Sequence, residues 1–556
     1  MQNLATETVA HIPLRAPTLA LSAALLGMAL HLTDGLYSPI GIEVLTLSLI
    51  LCIAAVLAPR AADANLSNGE QSRISPRTFH LFLTGLVAIQ LFSMLFVVAG
   101  ASEATVPKVS QRPYQMGVAI AACGLAMIAA SRQRKVMWIG FVVMAASFAG
   151  IGVWKIRSAP SPFIDVFIFH RDAAEALARG VNPYTITFPN IYGPDTYVYG
   201  PGVVNDGRLL FGYPYPPLVL MLTSASHWIF GDARYVMLIS MLASAVMIAL
   251  IRRDRAGMLI AMLLLFTPRA FYILELAWTE PISVMLLAAA VLVATRGQSA
   301  PASRHSHAVS GDTGDFSHAK ETEKPPPSPP YSGERQGEGL PGATHVRAPH
   351  PASPLSTGER SLGAGANPDI FADQGDRWRK LRSLAIPALL GLLLASKQYL
   401  PAAILLFPLL EPKPRSWNRV IIDIVIACAA AAVVTLPLAM WDFRAFWQSA
   451  ITLQMRQPYR PDALSFLAWW GYGKTGWTGP FWLAFVALFI ATMLSLWRLP
   501  RGIAGFVTGF AFTYYCFFAF NKQAFANYYY LVLGSLCIAT ALQRIELHLE
   551  PSLQEA

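Results

Sequence analysis

The stretch Ser38-Pro-Ile-Gly-Ile-Glu-Val-Leu-Thr-Leu-Ser-Leu-Ile-Leu-Cys-Ile-Ala-Ala-Val-Leu57 carries one charged side chain, Glu43, and is closely followed by Arg60. A helix needs about 20 mostly apolar residues to cross the hydrocarbon core of a bilayer. Segments of the same kind recur near 17–34, 78–100, 114–131 and 136–155, then near 214–230, 235–251, 257–276 and 281–296. A last group lies near 383–397, 399–411, 419–440, 480–497, 503–520 and 526–543, with Pro387, Pro401 and Pro408 breaking the region 383–411. The expected fold is an all-α, polytopic integral membrane bundle of about 12–15 helices.

Composition agrees with this reading. Of 556 residues, 54% are hydrophobic and 13% charged, and the mean hydropathy is +0.46. Soluble domains carry about 25% charged residues. The net charge of +10 does not point to nucleic acid here, because membrane proteins hold Lys and Arg in cytoplasmic loops. The five cysteines, Cys52, Cys123, Cys428, Cys516 and Cys537, lie in or beside apolar stretches without metal-ligand spacing. They read as small buried hydrophobes rather than disulfides or zinc ligands. The apolar run from Pro17 has no small-residue cleavage site after it, so it reads as a retained first span.

Basic clusters orient the spans. Arg60, Arg73 and Arg77, then Arg132, Arg134 and Lys135, then Lys413, Arg415 and Arg419, and finally Arg498 and Arg501 mark one side. The loops 156–213, 441–479 and 520–527 then fall on the other side. The middle of the chain conflicts with this alternation. Arg252, Arg253 and Arg255 look cytoplasmic, yet two full crossings between 214 and 251 would place them outside. Either one segment is re-entrant or the charge rule breaks locally.

Residues 297–380 are rich in Pro, Gly, Ser and His and lack apolar periodicity. They bury too little apolar surface to offset ordering entropy, and read as a disordered cytoplasmic insertion. The run Pro325 to Pro330 could in principle dock a partner through a polyproline helix, but a passive linker is the favoured reading. The chain therefore divides into N-terminal spans (1–135), a module with the external loop 156–213 (136–296), the insertion (297–380), C-terminal spans (381–545) and a tail (546–556).

The loop opening at Asp165 is where chemistry concentrates. Residues 165–179 have helical periodicity, with Phe169, Ala173, Ala176 and Leu177 on one side. Gly180 and Asn182-Pro183 end the helix. The expectation is an amphipathic interfacial helix lying along the bilayer. Tyr192, Tyr197, Tyr199, Tyr213 and Tyr215 follow, and Pro214, Pro216 and Pro217 open the next span. These tyrosines form either an aromatic belt or the wall of a site for a polar substrate.

The order spanning helix, Asp165, small-residue helix, Gly180, Asn182-Pro183-Tyr184, then Tyr215-Pro216-Pro217 entering a helix resembles the C-type superfamily of membrane glycosyltransferases. It is most similar to the polyprenyl-phosphate-mannose-dependent mannosyltransferases, over about residues 137–290 and more weakly through 543. The resemblance implies transfer of a sugar, mannose favoured, from a polyprenyl-phosphate carrier to a lipid, glycan or protein acceptor on the non-cytoplasmic face. It implies that Asp165 is the catalytic general base, a role worth about 10²–10⁴-fold. It calls for no cofactor and no metal, since a cationic side chain can steady the leaving phosphate. The chain departs from the family pattern in the spans that precede the motif and in the 297–380 insertion.

Other candidates come from external edges. Lys397 interrupts an apolar run and either serves as that cation or snorkels to the headgroups. Lys522, Gln523 and Asn527 stand together between two spans and suit a phosphate and sugar hydroxyls. Glu280, before Pro281, either complements a helix dipole or orients the acceptor. Tyr184 completes the expected substrate-binding set. Arg456 and Arg460, near Trp469, Trp470 and Trp477, are further cationic candidates. Those tryptophans either stack on sugars or mark the interface. Asp172 and Glu175 read as solvated surface, and His170 as a candidate proton relay. Against the transferase stands a transporter or flippase for a lipid-linked or small polar substrate. That class calls for internal repeats or ionisable groups near the bilayer centre. A scaffold recruiting partners through the Pro-rich insertion is the third alternative.

Overall fold

The structure, a computed structural model, describes residues 6–58, 73–96, 110–193, 198–296, 368–411, 416–474, 477, 479–543 and 546–551. The helices that open the chain are α1 (Arg15–Thr33), α2 (Pro39–Leu57), α3 (Pro76–Leu95), α4 (Arg112–Ala130) and α5 (Arg134–Ser158). Next come α6 (Asp165–Ala178), α7 (Pro217–Phe230), α8 (Arg234–Arg252), α9 (Arg255–Leu265), α10 (Ala270–Glu275) and α11 (Glu280–Arg296). Then follow α12 (Pro368–Leu394), a 3₁₀ segment over Leu400–Leu409, α13 (Trp417–Ala439), and the short α14 (Phe443–Phe446), α15 (Leu453–Arg456) and α16 (Phe466–Gly471). The last three are α17 (Leu483–Arg498), α18 (Ile503–Ala519) and α19 (Ala526–Ala541). Among the described residues, seven of these helices are long and apolar enough to cross a membrane: α1 to α5, α8 and α13. Shorter apolar helices pack among them, and the whole is an all-α polytopic membrane bundle.

Local chemistry sets the boundaries. Ser38 and Ser75 accept hydrogen bonds from the amides of Gly41 and Thr78, and a proline follows each cap. Both arrangements satisfy or remove donors that a helix start leaves free. Pro368, at the first position of α12, starts a helix inside the segment expected to be a linker through 380. The rest of that insertion, 297–367, lies outside the described residues. The region broken by Pro401 and Pro408 becomes the 3₁₀ segment rather than an α-helix.

α19 is buried on almost every side, and α18 and α9 nearly so, which explains their uniformly apolar sequences. Small residues let other pairs close up. A Cβ on Gly124 of α4 would lie 2.7 Å from the Gly140 carbonyl of α5, so the two backbones meet directly. Ile421, Val425 and Val433 of α13, and Phe485, Phe489 and Ile490 of α17, stay exposed as lipid-facing surface. Cys52, Cys516 and Cys537 are buried. Cys123 and Cys428 are exposed on the outer faces of α4 and α13, contrary to the expectation for all five. An apolar outer face costs a thiol nothing when the surrounding medium is lipid.

Arg15, Arg252, Arg255, Arg498 and Arg501 gather at one end and cap helix C-termini. Arg498 donates to Leu57 O (2.8 Å), Arg15 to Ala55 O (2.8 Å), Arg501 to Pro408 O (2.5 Å), and Arg252 to Gln543 O. Arg255 donates to Ser131 O, beside the 132–135 cluster. Helix ends leave carbonyls without intrahelical partners, and a guanidinium answers them while favouring the negative pole.

The same contacts resolve the mid-chain conflict. Arg234, at the start of α8, reaches Ile156 O at the far end of α5 (3.0 Å). Pro214, before α7, is bound by Gln398 at that same far end (2.5 Å). α7 packs along α6, with Trp228 Nε1 donating to Ala174 O (3.2 Å). Both ends of α7 therefore lie at the end opposite the arginines, and the segment read as the span 214–230 does not cross. α8 alone returns the chain to Arg252.

Two small sheets accompany the helices. β1 (Thr6–Pro13) pairs with β2 (Arg73–Ile74) and, in register Thr6↔Pro551, with β6 (Glu546–Pro551), so the segment expected as a tail forms a strand. β3 (Phe188–Pro189), β4 (Val204–Asn205) and β5 (Arg208–Leu209) form a sheet in the large loop. Asp206 and Gly207 link β4 to β5, both with positive φ (46° and 71°). This is the Asp-Gly hairpin chemistry.

Candidate functional site

Asp165 opens α6, the interfacial helix. The buried side of α6, including Phe169, His170 and Ala173, packs on the loop sheet and on α7. Its carboxylate accepts hydrogen bonds from Tyr199 Oη (2.6 Å), the Val166 amide (2.8 Å) and Tyr192 Oη (3.2 Å). Burial pushes the Asp165 pKa above its ordinary value, and these three donors and Arg460 pull against it. The result is a half-buried carboxylate held by two phenols.

A cavity of about 290 Å³ opens in front of it. Tyr199 and Tyr215 of the loop, Lys397 after α12, and Gln457, Arg460 and Asn527 share its wall with Asp165. Lys397 Nζ lies 2.8 Å from Glu280 Oε1 and 4.7 Å from the Tyr215 ring centre. Glu280 is fully buried, and its Oε1 also accepts from Asn527 Nδ2 (2.9 Å) and Tyr399 Oη (3.4 Å). Arg460 forms a two-point pair with Asp462 (2.8 and 2.6 Å) beneath the Phe525 ring. The cavity thus offers two carboxylates, Asp165 and Asp34, and two cations, Lys397 and Arg460, a set suited to a ligand with both a hydroxyl and an anionic group.

The expected site residues divide. Asp165, Lys397, Gln523 and Asn527 converge on the cavity. Tyr184 does not: it is buried in the loop's own core, and its hydroxyl donates to Tyr215 O (2.9 Å). It builds the wall instead of touching the cavity. Glu280 does not line the cavity either: its Oε1 is taken by Lys397, Asn527 and Tyr399, and its Oε2 is buried without a hydrogen-bond partner among the described residues. Lys522 points away, donating to Gln457 O (2.5 Å) and Met455 O (3.2 Å), with its pKa lowered by burial. It pins the loop that carries Gln457. Arg456 is exposed, as are Trp469 and Trp470. His170 sits behind Tyr215, stacked on that ring and bonded through Nδ1 to Tyr213 Oη (2.9 Å). Burial, and secondarily Lys397, lower its pKa to about 3, so it is a neutral structural imidazole at pH 7. Asp172 and Glu175 pair with Arg171 and Arg179 on the helix surface, as expected.

Residues outside the expected set also reach the cavity. Asp34 and Leu36, from the turn between α1 and α2, form part of its wall, so the helices read as additions to the module help to build the site. Asp34 is bound by Arg269, while burial raises its pKa. Gly35 lies on the backbone of Ala526 at the start of α19. The only signal for this turn was Asp34-Gly35 after an apolar run, a helix stop with no functional mark. Among the described residues, no group of three or more His, Cys, Asp or Glu side chains could hold a metal ion. Compared with known protein families, curated proteins and solved structures, the chain matches none.

Proposed function

We propose that this chain is a membrane glycosyltransferase that moves a sugar, mannose favoured, from a polyprenyl-phosphate carrier to a lipid, glycan or protein acceptor. The observation that carries the reading is the convergence of a half-buried, phenol-held carboxylate and a buried ammonium on one cavity, Asp165 and Lys397. In this scheme the acceptor O–H gives its proton to Asp165 as its oxygen forms the new bond to the anomeric carbon. The bond from that carbon to the carrier's phosphate oxygen breaks, and the electron pair leaves with polyprenyl phosphate. Lys397 and Arg460 face the departing charge. The cavity lies at the end of the bundle opposite the arginines that cap α2, α4 and α19, which is the non-cytoplasmic end if positive charge marks the inside. A donor whose tail stays in the bilayer calls for a site beside lipid.

The test is transfer from a labelled polyprenyl-phosphate sugar by purified protein. Asp165→Asn keeps the shape and loses the base, and should slow transfer by about 10²–10⁴-fold. Equal transfer by the variant would remove Asp165 from the role. No consumption of any lipid-linked sugar by the wild type, with lipid, glycan and peptide acceptors supplied, would remove the transferase reading and favour the transporter class.

A further inference from the structure

A second concavity lies against the first. It has a volume of about 650 Å³, is open to solvent, and is walled by Tyr37, Tyr459, Asp462, Tyr472, Lys474 and Trp477. Two short segments part the two hollows, Leu36-Tyr37 and Arg460-Pro461-Asp462. Leu36 faces the cavity and Tyr37 the depression, while Arg460 faces the cavity and Asp462 the depression. The two sides are stitched together by Tyr37 N donating to Asp462 O (2.8 Å) and by the bridge Leu36↔Ala463.

The lining has a specific chemistry. The Tyr37 and Tyr472 rings lie 5.0 Å apart at 34°, and Tyr459 meets Trp477 edge-on at 5.2 Å. Lys474 Nζ sits 5.6 Å from the Trp477 ring centre. Asp462 is held by Arg460 through both oxygens, which fixes its direction and leaves lone pairs to accept further donors. The Tyr459 hydroxyl is buried against Gly471 and has no hydrogen-bond partner among the described residues. Native structures seldom leave such a group unanswered.

A row of interface aromatics would present rings outward to headgroups and would need neither a fixed carboxylate nor a concave wall. A pyranose has one face of C–H groups and a rim of hydroxyls, and it matches flat rings flanked by an acid and an amine. We infer that this depression is a carbohydrate subsite, which holds a non-reacting sugar of the acceptor while that acceptor's hydroxyl reaches Asp165 through the neighbouring cavity. The inference rests on the transferase reading and narrows its acceptor to a glycan or glycolipid with at least two sugar units.

The test uses the full chain in detergent and three free probes, α-mannotriose, maltotriose and chitotriose, with binding followed by saturation-transfer NMR and tryptophan fluorescence. Tyr472 is 69% exposed, so Tyr472→Ala leaves folding intact. At least one probe should bind the wild type saturably, with affinity at least about tenfold weaker in Tyr472→Ala and Trp477→Ala. Trp441→Ala, outside the depression, should leave that affinity unchanged. No saturable binding by any probe, or equal binding by the Tyr472 and Trp477 variants, overturns the subsite. Strong quenching of Trp477 by brominated lipid would also overturn it, in favour of a membrane anchor. If transfer depends on Asp165 but the acceptor KM ignores Tyr472→Ala, the subsite falls and the transferase stands. If no transfer occurs yet sugar binding is lost in Tyr472→Ala, the sugar site stands and the transferase falls.

Discussion

Asp165 is tuned by two opposing effects. Burial raises its pKa, and the short bond from Tyr199 is the strongest of the influences that lower it. Tyr199→Phe removes that donor without changing the ring. A hydrogen bond to a charged group contributes about 1.5–3 kcal/mol, which corresponds to about 1–2 pH units. Asp165 works as a base only when ionised, so activity is lost as pH falls through its pKa. The variant's acidic limb should therefore move about 1–2 units upward in a pH–rate profile, while the rate on the high-pH plateau falls much less. An unchanged limb would mean that Tyr199 does not control the base. Lys397 and Glu280 form a second residue-scale unit, with side chains 5% and 0% exposed. Glu280→Gln leaves a buried ammonium without its counter-ion and should cost about 3–5 kcal/mol. Adding Lys397→Met should restore much of that loss in thermal unfolding without restoring transfer. Additive losses in this double-mutant cycle would contradict a coupled pair.

At the scale of elements, local spacing identifies α6 but does not place α7. The periodicity of 165–179 and the stop at Gly180 match α6, because an amphipathic helix shows its buried face as spacing. α7 reads as a span for the same reason that it packs well, since it is apolar on several sides. Only its partners place it. Trp228 reaches α6, and the two ends of α7 meet Gln398 and the far end of α5. In a background without native cysteines, Arg179→Cys and Phe230→Cys should react with an impermeant maleimide from one side of the membrane. Arg253→Cys should react only from the other. Labelling of the first two from opposite sides would mean that α7 crosses.

For the whole molecule, the turn between α1 and α2 joins the N-terminal helices to the site. Gly35 has φ +74°, and a Cβ there would lie 2.4 Å from Ala526 N and 2.8 Å from its Cα. Backbone cannot move aside as a side chain can. Gly35→Ala should lift the turn from α19, cost about 1–3 kcal/mol in thermal unfolding, and reduce transfer by withdrawing Asp34 and Leu36 from the wall. Gly231 is a control with a similar φ of +78° and nothing within 4 Å. Gly231→Ala should cost only the backbone penalty, about 1 kcal/mol, and leave transfer intact. Equal effects at the two glycines would separate the α1–α2 turn from the site.

Asp165, Lys397 and Asn527 stood out in the sequence because polar groups at the edges of apolar runs are expensive and few. Their convergence is a tertiary fact, as is the diversion of Glu280 to Lys397 and of Lys522 to backbone carbonyls. Tyr184 looked functional because it belongs to a motif, and its hydroxyl turned out to serve the loop that shapes the cavity. Asp34 and Arg269 are 235 residues apart in the chain, so no local pattern could pair them. The sequence alone determined a membrane bundle with its basic end and an interfacial helix at Asp165, since solvent preference, charge and 3.6-residue spacing are properties of short segments. The tertiary structure decided that α7 turns back and which carboxylate faces open space, because both depend on partners brought together by packing.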